Sequence, residues 1–121
     1  MDKVLAGRRL LVVEDEMLIA MMIEDMLADM GCEAVSWAAT VAQAVALNDA
    51  QDFDAALLDM NLNGVYSYPV ARALDARGVP FAFSSGNSLR DVDEMYQERE
   101  FLRKPFQIED LGKVLARLLP R

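Results

Sequence analysis

The sequence predicts an α/β fold, a five-stranded parallel sheet with helices on both faces. Short apolar runs recur along the chain, and stretches of helical periodicity separate them. Four of the runs stop abruptly at polar or charged groups. Leu10–Val13 ends in Glu14-Asp15, Ala55–Leu58 in Asp59, Pro80–Phe83 in Ser84-Ser85-Gly86, and Phe101–Leu102 in Arg103-Lys104-Pro105. A buried parallel strand ends in this way when it delivers a polar group to the carboxyl edge of a sheet, where ligands bind in open α/β folds. Right-handed crossovers leave little choice but helices on both faces.

Leu10–Val13, short and partly β-branched, is the first strand. Glu16–Met30 repeats apolar residues at three- and four-residue spacing: Met17, Ile19, Ala20, Ile23, Met26, Leu27 and Met30. Glu24, Asp25 and Asp29 fall on its wet side. The methionines are expected to pack into the core as adaptable filler. Gly31 suits the position just past this helix. Ala34–Trp37 is a weaker second strand, and Thr40 with Gln43 forms a capping box for a helix over Val41–Ala50. Ala55–Leu58 is the third strand, followed by a loop from Asn61 to Ser67. Ser67 is expected to cap a third helix with Pro69 in its first turn, ended by Gly78. Pro80–Phe83 is the fourth strand. Ser88 with Asp91 opens a polar fourth helix to about Gln97, with a weak apolar side of Leu89, Val92, Met95 and Tyr96. Glu100–Arg103 is the fifth strand, and Ile108, Leu111, Val114, Leu115 and Leu118 mark the fifth helix despite Gly112.

At 121 residues one domain, 1–121, is expected, and a hydrophobic fraction of 54% is ample for one core. The net charge of −8 argues against direct nucleic-acid binding, which needs a basic face. There is one cysteine, Cys32, so no intrachain disulfide forms. No run of 18 apolar residues and no signal-peptide core is present, so a cytoplasmic protein without membrane contact is expected. The chain contains no histidine, which excludes histidine acid/base catalysis and histidine metal ligands.

If the strands lie adjacent and parallel, Glu14, Asp15 and Asp59 converge with Ser85 and Lys104. Three crowded carboxylates repel, so without a cation at least one pKa should rise. Magnesium suits such an all-oxygen site and takes one or two carboxylates plus phosphate oxygens. A backbone carbonyl just after Asp59, such as that of Asn61, can complete the protein ligands. A carboxylate beside magnesium can attack a phosphoryl group and form an aspartyl phosphate. Lys104 can then pair with one phosphate oxygen and Ser85 donate to another. Each residue alone has a plainer reading, as a turn residue, a helix-terminal charge or a solvated lysine. The order and placement of the whole set favour the site.

These residues carry a resemblance. Leu-Val-Val-Glu-Asp-Glu, Leu-Leu-Asp-Met-Asn-Leu-Asn-Gly and Phe-Leu-Arg-Lys-Pro-Phe resemble the first strand, phosphoacceptor loop and lysine motif of the response-regulator receiver domain of two-component signalling. The resemblance runs from Leu10 to Leu119 and is nearest to single-domain, chemotaxis-regulator-like members. It implies the flavodoxin-like, doubly wound strand order 2-1-3-4-5 with five helices. It implies that Asp59 accepts a phosphoryl group from a sensor histidine kinase or phosphotransfer protein. Asp15 would bind magnesium directly, Glu14 through water and Asn61 through its carbonyl. Ser85 would be the switch hydroxyl, Lys104 the phosphoryl contact and Phe101 the switch aromatic, and the Lys104-Pro105 bond would be cis. An unknown output protein would bind the surface of the fourth helix, fifth strand and fifth helix, and dimerisation on phosphorylation is left open.

The pattern Asp-x-Asn-Leu-x-Gly-x-x-Ser-x-Pro-Val-Ala is similar to a bacterial subgroup, many of them stand-alone receivers and some in general stress signalling. Its Pro-Phe-x-Phe-x-Thr-Gly-Tyr is here Pro-Phe-Ala-Phe-Ser-Ser-Gly-Asn, so Ser85 replaces threonine and Asn87 replaces tyrosine. Met1 and the close of the fifth helix near Arg121 suit a stand-alone chain, and a receiver fragment of a larger regulator is the alternative. A phosphate sink or shuttle without its own output is a variant of the leading reading. A phosphatase working through a phosphoaspartate would need an acid at Asn61. A flavin module would want a phosphate-cradling loop where Glu14-Asp15-Glu16 stands.

Overall fold

All five predicted strands join one parallel sheet. The computed structural model describes residues 5–86, 96 and 99–119. Along the chain these form β1 (Arg9–Val13), α1 (Met17–Asp29), β2 (Ala34–Ala38), α2 (Val41–Ala50), β3 (Ala55–Asp59), the short β4 (Asn61–Leu62) and β5 (Val65–Tyr66), α3 (Tyr68–Ala76), β6 (Phe81–Ser85), β7 (Glu100–Arg103) and α4 (Ile108–Leu118). The sheet order is β2-β1-β3-β6-β7. With β4 and β5 set aside as a separate hairpin, that is the expected order 2-1-3-4-5. Every pairing within the sheet is parallel. The predicted fourth helix, with its Ser88–Asp91 box, lies outside the described residues apart from Tyr96, which is buried against Phe81 and Phe83. The last predicted helix is α4.

Successive side chains of a strand point to opposite faces, and both faces here are apolar. Leu11, Val13, Ala56, Leu58, Phe81 and Phe83 pack with Ala44 of α2 and Val70, Ala71 and Leu74 of α3. Leu10, Val12, Ala55, Leu57, Ala82 and Leu102 pack with Ile23 and Leu27 of α1 and Leu111, Val114 and Leu115 of α4. Fully burying each large apolar side chain contributes roughly 1.5–3 kcal/mol, whereas a helix cap contributes about 1 kcal/mol. The two apolar layers therefore hold the fold, and the caps set where helices begin.

The Thr40 cap forms: its hydroxyl accepts from Gln43 N–H at 3.1 Å, while the Gln43 side chain reaches back to Ala39 N–H at 2.9 Å. Gly31 follows α1 at φ 87°, a left-handed conformation glycine adopts without steric cost. Three expectations are corrected. Ser67 stands at the start of α3 but does not cap it; its buried hydroxyl turns back to the Met60 carbonyl at 3.2 Å. The segment after Asp59 is a β-hairpin, β4 paired antiparallel with β5, and not an open loop. Its turn, Asn63-Gly64, has positive φ at both residues (53° and 87°), as a two-residue type I′ hairpin requires. Finally, the methionines of α1 do not all enter the core. Met30, just past the helix, is buried, but Met17, Met21 and Met22 are 58%, 53% and 54% exposed, with Leu18 at 77%. The sheet covers only the stripe of Ala20, Ile23 and Leu27, and α1 is apolar over a wider arc than that.

Candidate functional site

The carboxyl edge of β1, β3, β6 and β7 gathers the candidate residues. Asp59 is the last residue of β3, one position further into the sheet than expected, and pairs in register with Ser84. Ser85 ends β6 opposite Arg103, is buried, and its carbonyl accepts from Lys104 N–H at 2.9 Å. The strands end together because their apolar runs do, so the polar residues that follow share one edge.

Glu14, Asp15 and Asp59 each offer a carboxylate oxygen within 4.8 Å of the others. Glu14 is 1% exposed and Asp59 7% exposed, while Asp15 is only half-buried. Lys104 reaches between two of them: its Nζ lies 2.7 Å from Glu14 Oε1 and 3.1 Å from Asp59 Oδ2. Backbone donors hold all three acids. Glu16 N–H donates to Glu14 Oε2 at 3.1 Å, Asn63 N–H to Asp15 Oδ2 at 3.1 Å, and Asn61 N–H to Asp59 Oδ1 at 3.3 Å. The exposed Asn61 accepts Gly64 N–H at its side-chain Oδ1, at 2.7 Å. Phe101 of β7 lies half-buried beside Phe83, packed on the α2–α3 side of the sheet. The Lys104–Pro105 peptide is cis.

Burial pushes the Glu14 carboxyl up from its ordinary value to about 7, although the Lys104 hydrogen bond pulls the other way and the Asp59 charge adds to the rise. So a carboxyl pKa does rise, but removal from water outweighs the crowding of like charges. Burial pulls the Lys104 ammonium down, yet the Glu14 hydrogen bond and the Asp59 charge outweigh it, and its net shift is upward. An acid whose folded pKa lies above its unfolded value makes stability fall as pH rises between the two. In the absence of divalent cations, Glu14 should therefore cost stability from about pH 4.5 to about 7, on the order of 3 kcal/mol. Urea titrations in EDTA across that range, on the parent and Glu14→Gln, isolate this contribution. Equal pH slopes in the two proteins would remove Glu14 as its source.

Besides the Lys104 bridge, two further contacts at this edge are not read from the sequence. The Asn63 N–H that holds Asp15 comes from the hairpin turn, and the Asn63-Gly64 pair was its visible signal. The Trp37 indole donates Nε1–H to the Glu14 carbonyl at 2.7 Å, a contact for which the sequence carries no local signal.

The model of the response regulator receiver domain matches residues 10–116. No curated protein sequence matches the chain. Among solved structures, SdrG from Sphingomonas melonis Fr1 is 44% identical, with 98% of each chain covered and a TM-score of 0.83. The BeF3-activated conformation of SdrG, from Pseudomonas melonis Fr1, is 45% identical over 95% of this chain and 98% of that one, with a TM-score of 0.83. The receiver domain of the sensor histidine kinase PA1611 from Pseudomonas aeruginosa PAO1, with a magnesium ion coordinated in its active site cleft, is 31% identical. That match covers 93% of this chain and 98% of the other, with a TM-score of 0.81. With a family match over nearly its whole length and an acidic edge shared by β1 and β3, the chain belongs to the response regulator receiver domain family.

Proposed function

We propose that Asp59 is a phosphoacceptor, charged by a sensor histidine kinase or phosphotransfer protein, and that this chain is a phosphorylation-controlled switch. The observation that carries the reading is Lys104 Nζ bridging Glu14 and Asp59 across 90 and 45 residues of sequence. The three acids fit a hard divalent cation, since they offer only oxygen ligands within 4.8 Å of one another. Asp15, Asp59 and the Asn61 carbonyl would hold magnesium directly. Buried Glu14, already engaged by Lys104, would act through water. When bound, magnesium supplies charge neutralisation for phosphoryl oxygens.

The chain's own groups do the rest. Asn61 N–H and Lys104 fix the Asp59 carboxylate, so one of its oxygens can meet phosphorus in line. The new O–P bond forms as the donor's N–P bond breaks, and the electron pair stays on the donor imidazole. Lys104 then leaves Asp59 for a phosphoryl oxygen, and Ser85 turns its hydroxyl to another. Phe101 follows into the space behind β6 and alters the output surface of the predicted fourth helix, β7 and α4. Because Phe101 is already half-buried and has no hydroxyl to leave unpaired, the switch is leaky. The phosphate-sink reading differs only in needing no output surface.

Beryllofluoride, standing in for the phosphoryl group, tests the proposal by NMR. Shifts are expected at Asp59, Ser85, Phe101 and Leu102–Arg103. Shifts confined to the Asp59–Ser67 segment would sink the switch and favour the sink.

A further inference from the structure

Glu14 stands where β1 runs out of partners. Its N–H still bonds the Ala38 carbonyl at 3.0 Å, in the pattern of the β1–β2 ladder. In a longer parallel ladder its carbonyl would accept from Thr40 N–H. The chain has left the sheet there, because Ala38 ends β2 and Thr40 is the N-cap of α2. Glu14 is 1% exposed, so its carbonyl needs a donor from the protein. Trp37 supplies one: from β2, its indole Nε1–H reaches the Glu14 carbonyl at 2.7 Å. That carbonyl belongs to the peptide joining Glu14 to Asp15, the two acids that follow β1 at the site.

We propose that Trp37 is a positioning residue, whose indole N–H orients the Glu14–Asp15 peptide and so sets the affinity of the acid cluster for magnesium. The inference rests on the magnesium-dependent reading of the site. Besides the bonds on the Glu14 carboxylate, three bonds then fix this segment from separate directions: Ala38 carbonyl on the Glu14 N–H, Trp37 on the Glu14 carbonyl, and Asn63 N–H on the Asp15 carboxylate. Without the indole bond the peptide can rotate about its flanking torsions. Asp15 then spends part of its time turned from Asp59, and the cation must reassemble the pair. Trp37 acts through Glu14 and Asp15 and touches neither the cation nor the phosphoryl group.

Trp37 is the chain's single tryptophan, which allows a clean test. Biosynthetic replacement of tryptophan by benzothienylalanine puts sulfur where the indole N–H was and keeps the ring's shape. Magnesium is titrated into the parent, the analogue protein and Trp37→Phe, following the Asp15 and Asn63 amide signals by NMR, with melting curves recorded alongside. Losing one hydrogen bond predicts a magnesium Kd weaker by about three- to tenfold in both altered proteins. Phosphorylation by acetyl phosphate should slow in the same proportion at low magnesium and return to the parent rate at saturating magnesium. An analogue protein with the parent's magnesium affinity overturns the inference, whatever its melting temperature, because the indole then only packs. If Trp37→Phe does not fold, the analogue protein alone decides. A parent that binds no magnesium overturns the reading beneath it as well.

Discussion

Asp59→Asn should abolish phosphorylation by acetyl phosphate and by any cognate kinase. An amide oxygen is a far weaker nucleophile than a carboxylate, and among the described residues no neighbouring group is placed to stand in for it. Glu14 is held by Lys104 and Glu16 N–H and is 1% exposed. Asp15 is held by Asn63 N–H on the outer side of the cluster. The parent should take up a single acid-labile phosphate, seen by intact mass, and the variant none. The variant should remain folded, because asparagine keeps the size of the side chain and an oxygen for Asn61 N–H. It also removes one of three crowded negative charges. Phosphate on Ser67, Ser84 or Ser85 in the parent, or an undiminished phosphorylation level in Asp59→Asn, would defeat the assignment.

Lys104→Met should give the second largest effect, on two observables. The first is rate. Lys104 Nζ lies 3.1 Å from Asp59 Oδ2 and, on the proposed function, meets the charge developing on the phosphoryl oxygens. Removing one such contact typically costs roughly 10²-fold. The second is stability. Removing one partner of a buried ion pair costs about 3–5 kcal/mol when the other charge is stranded. Glu14 has an escape, because its carboxyl already titrates near 7 and can take up a proton. The loss should therefore be smaller, about 1–3 kcal/mol, and larger at pH 8 than at pH 5. Urea unfolding at both pH values measures it, and single-turnover phosphorylation measures the rate. An equal loss at both pH values would mean that the Lys104 bridge to Glu14 does not hold this edge together.

The amino-acid sequence by itself determined the sheet, its strands and the group that ends each one. Buried parallel strands are nearly continuous apolar runs, so Leu10–Val13, Ala55–Leu58 and Pro80–Phe83 declare themselves, and their ends place Asp15, Asp59 and Ser85 on one edge. The strand order was legible through the family resemblance, not through periodicity. Helix α1 was legible in its bounds but not in its facing. Three- and four-residue spacing marks a helix whichever arc is covered, and only the packed sheet left Met17, Met21 and Met22 outside the core. The Asn63-Gly64 turn was written locally, but its use was not: the N–H it offers Asp15 depends on how the hairpin folds back across β1. The same holds for Lys104 between Glu14 and Asp59, and for the Trp37 indole on the Glu14 carbonyl. These contacts join residues 23 to 90 positions apart. They are decided by strand register and side-chain rotamer once the chain is packed, and neither leaves a periodic trace in the sequence.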